Sequence, residues 1–152
     1  MQTGVQISTI PFWLDAPSAA LVVDIVRSLQ QYPDILAIIL YGSLARHDER
    51  KDSDIDLLAV FDIDQDPVSI DYPKDYIALL VDVEYRHYPA ARELQIMRVS
   101  RDLHECDATY IEHMAQDGIL LYGTWPQALQ HVRMNRVENN RTCRSDNSAI
   151  ST

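Results

Sequence analysis

The chain has 152 residues, 47% of them hydrophobic, and a formal net charge of −10 at pH 7. This length and composition predict a single folded domain with a substantial core and exclude a disordered chain. The acidic balance argues against direct nucleic-acid binding, because a nucleic-acid binder needs a basic surface to neutralise phosphates.

The cysteine count and the lack of long apolar stretches indicate the cellular setting. Cys106 and Cys143 form neither a disulfide framework nor a CxxC metal pair, which fits a reducing compartment. The N-terminal residues show no basic region followed by a long apolar core. No uncharged stretch approaches the roughly 20 residues that a membrane helix needs. We therefore expect a soluble, cytoplasmic protein with no membrane partner.

The first half of the chain predicts two strands and the helices beside them. Apolar residues recur at helical spacing after Asp15 or Ser18, either of which can cap a helix. A continuous aliphatic run then indicates a strand that is buried on both faces. The predicted elements are a helix to about residue 31, a strand over 35–41, a short helix over 44–50 and a strand over 54–61.

The second half predicts a third strand, further helices and a tail. Core-like residues alternate with others over 76–87, which favours a strand. Beyond it we predict helices over 90–97 and 103–116, a short strand over 119–122 and a helix over 127–137. The residues from 138 to 152 are rich in Asn, Ser, Thr and Arg, so we expect a flexible tail. A domain over 1–126 followed by a basic extension over 127–152 is the predicted organisation.

Two carboxylates open the second predicted strand. Asp54 and Asp56 are two residues apart, and side chains in a strand alternate between faces, so both point the same way. Unpaired carboxylates side by side repel each other unless a cation lies between them. Mg²⁺ takes oxygen ligands and keeps room for substrate phosphates. The pair therefore predicts a metal-dependent phosphate or nucleotide site.

A third carboxylate can be proposed from the strand predicted over 76–87. Asp82 and Glu84 interrupt its apolar residues, and a carboxylate within an apolar strand is costly to bury unless it is paired or bound to metal. We expect Asp82, with Glu84 in reserve, to complete a metal shell and to take the proton from the attacking hydroxyl. The alternative is an exposed Asp82 that pairs with Arg86.

The Gly42-Ser43 turn predicts a phosphate contact. Glycine lets the backbone approach a phosphate closely, and the amides at a helix start point their N–H groups toward it. The Ser43 hydroxyl can add a hydrogen bond. Arg46, on the following turn, can hold a phosphate, whereas we expect His47 at the surface.

These residues together match a known pattern. Gly42-Ser43, ten further residues and then Asp54-Ile55-Asp56 resemble the signature of the DNA-polymerase-β-like nucleotidyltransferase superfamily. The surrounding runs Ile-Leu-Tyr-Gly-Ser-Leu-Ala-Arg and Ser-Asp-Ile-Asp-Leu-Leu are similar to the minimal nucleotidyltransferases of bacteria and archaea. Val81-Asp82-Val83 resembles the strand that bears their third carboxylate. The resemblance covers roughly residues 21–123.

The resemblance implies an α/β (α+β) fold in which a small mixed β-sheet is flanked by helices. It also implies that ATP binds together with two Mg²⁺ ions. The expected triphosphate-binding residues are Gly42, Ser43 and Arg46. The expected metal ligands and catalytic residues are Asp54, Asp56 and Asp82, of which Asp82 would also be the general base.

A protein partner is implied in the same way. Many proteins that this chain resembles are encoded beside an all-helical HEPN ribonuclease toxin and act as its antitoxin. That resemblance implies transfer of AMP from ATP to a tyrosine of the toxin. Two alternatives stay open, namely an antitoxin that neutralises its toxin by contact alone and nucleotidyl transfer to a small hydroxyl compound.

One residue departs from the family pattern. The family commonly has glycine after the Ala-Arg pair, and this chain has His47. A side chain at this position could narrow the phosphate cleft or contact the nucleotide.

Overall fold

The structure is a computed structural model, and it describes residues 9–135. The elements in chain order are α1 (Ala16–Leu29), β1 (Ile35–Tyr41), α2 (Ser43–Arg46), β2 (Ile55–Phe61), α3 (Tyr76–His87), β3 (Leu94–Val99), α4 (Ala108–Asp117) and β4 (Ile119–Gly123). A further helix begins at residue 127 and continues to 135, the last residue described.

The four strands form one mixed sheet in the order β3-β2-β1-β4. β1 pairs with β2 and with β4 in antiparallel orientation, whereas β2 and β3 are parallel. Parallel strands need a long crossover connection, and α3 lies within the connection between β2 and β3. The predicted small mixed sheet flanked by helices is therefore confirmed.

Helices cover both faces of the sheet, and each face has its own hydrophobic core. On one face, α1 and α3 pack on the strands through buried residues that include Ile25 and Val83. On the other face, α4 and the helix over 127–135 contribute Met114 and Leu129. Adjacent residues of β1 and β2 alternate between the two cores, which is why these strands read as continuous apolar runs.

The first helix forms as its sequence predicts. The Asp15 side chain accepts a hydrogen bond from the Ser18 backbone N–H at 3.1 Å, and a proline lies in the first turn. The apolar residues at helical spacing are buried against the sheet. Ser18 is buried too, and its hydroxyl accepts a hydrogen bond from the Arg92 backbone N–H at 3.0 Å.

The prediction of a strand over 76–87 is wrong, because this segment is α3. Its apolar residues fit both periods: 77, 79, 81 and 83 alternate, while 76, 79, 80 and 83 recur at helical spacing. Packing on α1 selects the helix and buries Tyr76 and Val83. Ile77 and Val81 are left exposed on the opposite side of the helix.

The prediction of a helix after this segment is also wrong, because the structure has a strand there. The segment predicted as a helix over 90–97 forms β3, which is parallel to β2. Leu94 and Ile96 face one core, whereas Met97 and Val99 face the other. The helix predicted over 103–116 begins later, at Ala108, where Asp107 accepts a hydrogen bond from the Tyr110 N–H at 2.8 Å.

The short helix predicted over 44–50 is present as α2 but ends at Arg46. The other elements agree with the sequence-based predictions or lie outside the described residues. The strands predicted over 35–41, 54–61 and 119–122 are present as β1, β2 and β4. The expected tail over 138–152 lies outside the described residues. Between residues 9 and 135, no helix is long and apolar enough to cross a membrane.

The assignment of residues 76–87 to a helix can be tested with two valines. In a strand Val81 and Val83 would share a face, but in α3 they are 61% and 1% exposed. We predict that Val83→Ala lowers the free energy of unfolding by about 2 kcal/mol, from lost burial and a small cavity. The matched control, Val81→Ala, should change it by less than about 0.5 kcal/mol. Urea denaturation measures both, and equal effects would contradict the helix.

Candidate functional site

The turn after β1 lies directly against the start of β2. Antiparallel pairing places Tyr41 opposite Asp56, so the next residue, Gly42, reaches the Asp56 carboxylate. A Cβ on Gly42 would lie 2.5 Å from Asp56 Oδ2. The φ angle of Gly42 is +80°, a conformation that residues with a side chain rarely adopt. Both facts require glycine here and bring the predicted phosphate turn to a predicted metal ligand.

The short helix α2 begins with Ser43, immediately after this glycine. The first N–H groups of a helix have no acceptor within it, so they are available to an anion that lies on the turn. Arg46 ends α2, and its Nε lies 3.1 Å from Asp48 Oδ2 in an exposed ion pair. Such a pair is weak, and the guanidinium can exchange it for a phosphate.

The Asp56 carboxylate lies on the sheet face covered by α4. Asp56 alternates with Leu58 and Val60, which belong to the core on that face, and Asp54 precedes it by two residues. Burial raises the pKa of Asp56, the charge of Asp54 raises it further, and the Arg46 guanidinium opposes both effects. The folded protein therefore holds a carboxylate whose charge is poorly compensated.

Asp82 does not join this pair. It lies on α3, which packs on the opposite face of the sheet, and its side chain is 69% exposed and paired with Arg86. The expectation of a third ligand at Asp82 depended on the strand predicted over 76–87, which is a helix. Glu84, the reserve residue, lies on the same helix and is likewise removed from Asp54 and Asp56.

The strand beside β2 is instead β3, and it carries no acidic residue. Its parallel register places Gln95 next to Asp56 and Met97 next to Leu58, so Gln95 shares the sheet face of the two carboxylates. Over residues 9–135, no group of three or more His, Cys, Asp or Glu side chains is placed to hold a metal ion. The described site thus has two carboxylates and a neutral amide.

A pocket of about 180 Å³ adjoins the glycine turn. It is lined by Tyr41, Gly42 and Arg46 on one side and by Tyr110, His113, Met114 and Asp117 of α4 on the other. The Tyr41 and Tyr110 rings pack edge to face with centroids 5.5 Å apart. Burial raises the pKa of both phenols, so they stay protonated and can donate hydrogen bonds. The pocket can hold part of a ligand whose phosphates lie on the turn.

His47 takes the conformation that explains the glycine of the family pattern. It ends α2 with φ +62°, in the left-handed region. Its ring stacks on Trp13, with centroids 4.3 Å apart and planes within 11°. The Trp13 indole N–H donates a 2.6 Å hydrogen bond to the Leu44 carbonyl. The imidazole is therefore held by the segment that precedes α1.

The residues present fit one part of the cofactor set that the resemblance implies. Mg²⁺ is commonly held by one or two carboxylates together with substrate phosphates. Asp54 and Asp56 supply such a pair, and the missing side chain at Gly42 lets the backbone of the turn lie directly against the Asp56 carboxylate. The ligand expected from a neighbouring strand is missing because Gln95 occupies that place.

Sequence reasoning missed the contribution of α4 to the site. Tyr110, His113 and Asp117 are spaced so that they share a helix face. The sequence shows this spacing, but it does not show which edge of the sheet this face of α4 packs against. Gln95 carried no local signal, because its place follows from the strand order.

A mixed sheet, a glycine turn and a pair of carboxylates at the start of β2 define a nucleotidyltransferase-type domain. The family model described as "Polymerase beta, Nucleotidyltransferase" matches residues 24–126, more than half of the chain. The chain belongs to the polymerase β nucleotidyltransferase family, which confirms the prediction from its sequence. No curated protein matches the sequence.

Several solved structures are similar in fold at low sequence identity. A toxin–antitoxin complex with AMP-PNP is 17% identical, with 84% of this chain and 92% of that chain covered and a TM-score of 0.47. The toxin–antitoxin MntA-HepT is 15% identical, with 86% of this chain and 93% of that chain covered and a TM-score of 0.47. A structure of tri-AMPylated HEPN toxin of Shewanella oneidensis with MNT antitoxin is 13% identical, with 86% of this chain and 94% of that chain covered and a TM-score of 0.44. At these values the family assignment rests on the family model alone.

The unfavourable charge of Asp56 predicts a stability effect. Its folded-state pKa is raised, so ionisation costs stability at pH above that pKa, and the cost disappears as pH falls through it. We predict that Asp56→Asn raises the free energy of unfolding at pH 7 in EDTA. The gain should vanish below about pH 4, near the pKa of an unfolded aspartate. The exposed Asp52→Asn is the control, and an Asp56→Asn protein no more stable than wild type would contradict the prediction.

Proposed function

We propose that this protein is a Mg²⁺-dependent nucleotidyltransferase that transfers AMP from ATP to a tyrosine hydroxyl of a HEPN-type toxin, as its antitoxin. The observation that carries the proposal is the contact of Gly42 with the Asp56 carboxylate, with Asp54 close enough for its charge to raise the pKa of Asp56. This contact places an anion-binding turn beside paired oxygen ligands. The partner and the acceptor follow from the sequence resemblance.

The roles of the residues follow from their positions. Gly42, Ser43 and Arg46 would bind the triphosphate, by close backbone approach, hydrogen bonding and charge. Asp54 and Asp56 would hold Mg²⁺, which neutralises charge on the phosphate oxygens. The pocket along α4 would receive a further part of ATP or of the acceptor.

The reaction is a displacement at phosphorus. The tyrosine oxygen attacks the α-phosphorus of ATP and forms a new P–O bond, while the bond to the bridging oxygen of the β-phosphate breaks. Pyrophosphate leaves, and the hydroxyl proton passes to a base or to water. This chain contributes mainly positioning and charge compensation, which dominate catalysis of phosphoryl and nucleotidyl transfer.

Labelled ATP tests the proposal directly. The protein is incubated with Mg²⁺, its HEPN partner and ATP labelled at the α- or the γ-phosphate. We expect α-label, and no γ-label, on the partner. Asp54→Asn should reduce labelling by at least ~100-fold, because charge compensation by a metal contributes several kcal/mol.

The control in this experiment is Asp52→Asn, which removes an exposed carboxylate from the same loop. It should label the partner as wild type does. Absence of α-label with wild type, or full labelling by Asp54→Asn, would refute the proposal.

A second candidate function is neutralisation of the toxin by binding alone. The observation that favours it is an apolar stripe on α3, formed by Ile77, Val81 and Tyr85, which are 56%, 61% and 81% exposed. Residues at this spacing share a helix face. An exposed apolar surface of this kind often marks a protein contact, and we assign it to the HEPN-type partner.

Introducing a charge into the stripe tests this contact. We predict that Val81→Glu weakens the complex by about tenfold or more, as expected for a central interface residue. The control is Gln116→Glu, which adds the same charge to α4 on the other face of the sheet. Isothermal titration measures both affinities. Equal affinities would exclude α3 from the interface, and a complex that still neutralises the toxin after Asp54→Asn would favour binding over catalysis.

A further inference from the structure

Gln95 lies where the site would accept another ligand. It pairs in register with Asp56 on the adjacent parallel strand, on the same face of the sheet. Neighbouring strands are about 4.8 Å apart, so the two side chains are first neighbours. Gln95 is exposed on β3, which is an edge strand, and the sheet core does not confine its side chain.

The chemistry of this residue limits what it can add. Asp54 and Asp56 together carry two negative charges, which one divalent cation compensates. Mg²⁺ is usually held by one or two carboxylates together with substrate phosphates, so we expect a second cation to need a carboxylate besides the two that hold the first. A glutamine amide provides one neutral oxygen and cannot accept a proton as a carboxylate does.

The other acidic residues nearby do not substitute for it. Asp82 and Glu84 belong to α3 on the opposite face. Glu93 precedes β3 and lines a separate pocket with Glu84, whose pKa is raised by burial and then by the charge of Glu93. In the described residues no third carboxylate reaches Asp54 and Asp56.

We infer that Gln95 restricts the site to a single divalent cation bound together with the nucleotide. The inference rests on the proposed nucleotide site, but it does not depend on the acceptor or on transfer. Asp54 and Asp56 alone do not determine how many cations the site binds, and the neutral side chain of Gln95 sets that number. It also means that β3 supplies no general base for the acceptor hydroxyl.

Cation counting tests the inference without any turnover. Wild-type protein is dialysed to equilibrium against Mn²⁺ and an ATP analogue with a methylene group between the α- and β-phosphorus. Bound Mn²⁺ and bound nucleotide are then measured per protein. We expect one Mn²⁺ per bound nucleotide for wild type and two for Gln95→Asp.

The matched control is Gln95→Asn, which has the size of aspartate but no charge, and it should remain at one. Gln95→Glu is the second acidic variant, in case Gln95→Asp fails to fold, and it should also bind two. Circular dichroism confirms that each variant is folded. Two Mn²⁺ in wild type, or one in both acidic variants, would overturn the inference.

Failure of this inference is distinguishable from failure of the proposed function. One Mn²⁺ per nucleotide without transfer to the HEPN partner would support the inference and refute the transferase proposal. Transfer to the HEPN partner by a wild-type site that binds two cations would support the transferase proposal and refute the inference. If the cation count rises in Gln95→Asp, we also expect faster transfer by that variant.

Discussion

The antiparallel pairing of β1 with β2 is the constraint on which the site depends. Because Tyr41 lies opposite Asp56, the turn after β1 closes on the carboxylate, and Gly42 is the residue that permits the contact. A slip of one residue would turn Asp56 to the other face of the sheet. Such a slip would also exchange Leu57 and Leu58 between the two cores. Hydrophobic packing on both faces therefore holds the register that the polar site requires.

The site is electrostatically unfavourable without a ligand, and the fold tolerates it. Asp56 is partly buried next to Asp54, and the only cation close to it in the described region that shifts its pKa is Arg46. A compact sheet with two cores can carry this cost. The same arrangement favours tight binding of a cation together with a polyphosphate, because the cation compensates the negative charge of both the carboxylates and the phosphates. Stability and binding capacity are therefore opposed at this one carboxylate.

Sequence patterns predicted only those parts of the site whose residues lie close together in the sequence. Gly42, Ser43, Asp54 and Asp56 lie within one hairpin, so their spacing in the sequence determines their proximity. Residues 76–87 satisfy two hydrophobic periods, and packing on α1, which no local pattern records, decides between them. Because residues 76–87 were predicted as a strand, Asp82 was wrongly included in the predicted site. Gln95 was invisible because its position depends on which strand pairs with β2.

The stacking of Trp13 on His47 gives this molecule a built-in optical reporter. The chain has two tryptophans, and they lie in different surroundings. Trp13 is bonded to the carbonyl of Leu44, close to the glycine turn, whereas Trp125 lies beneath the guanidinium of Arg133. We expect an anion that binds at the turn to alter the polarity around the first indole and to leave the second unchanged. With Trp125 replaced by phenylalanine, the fluorescence of the protein would follow occupancy of its own site.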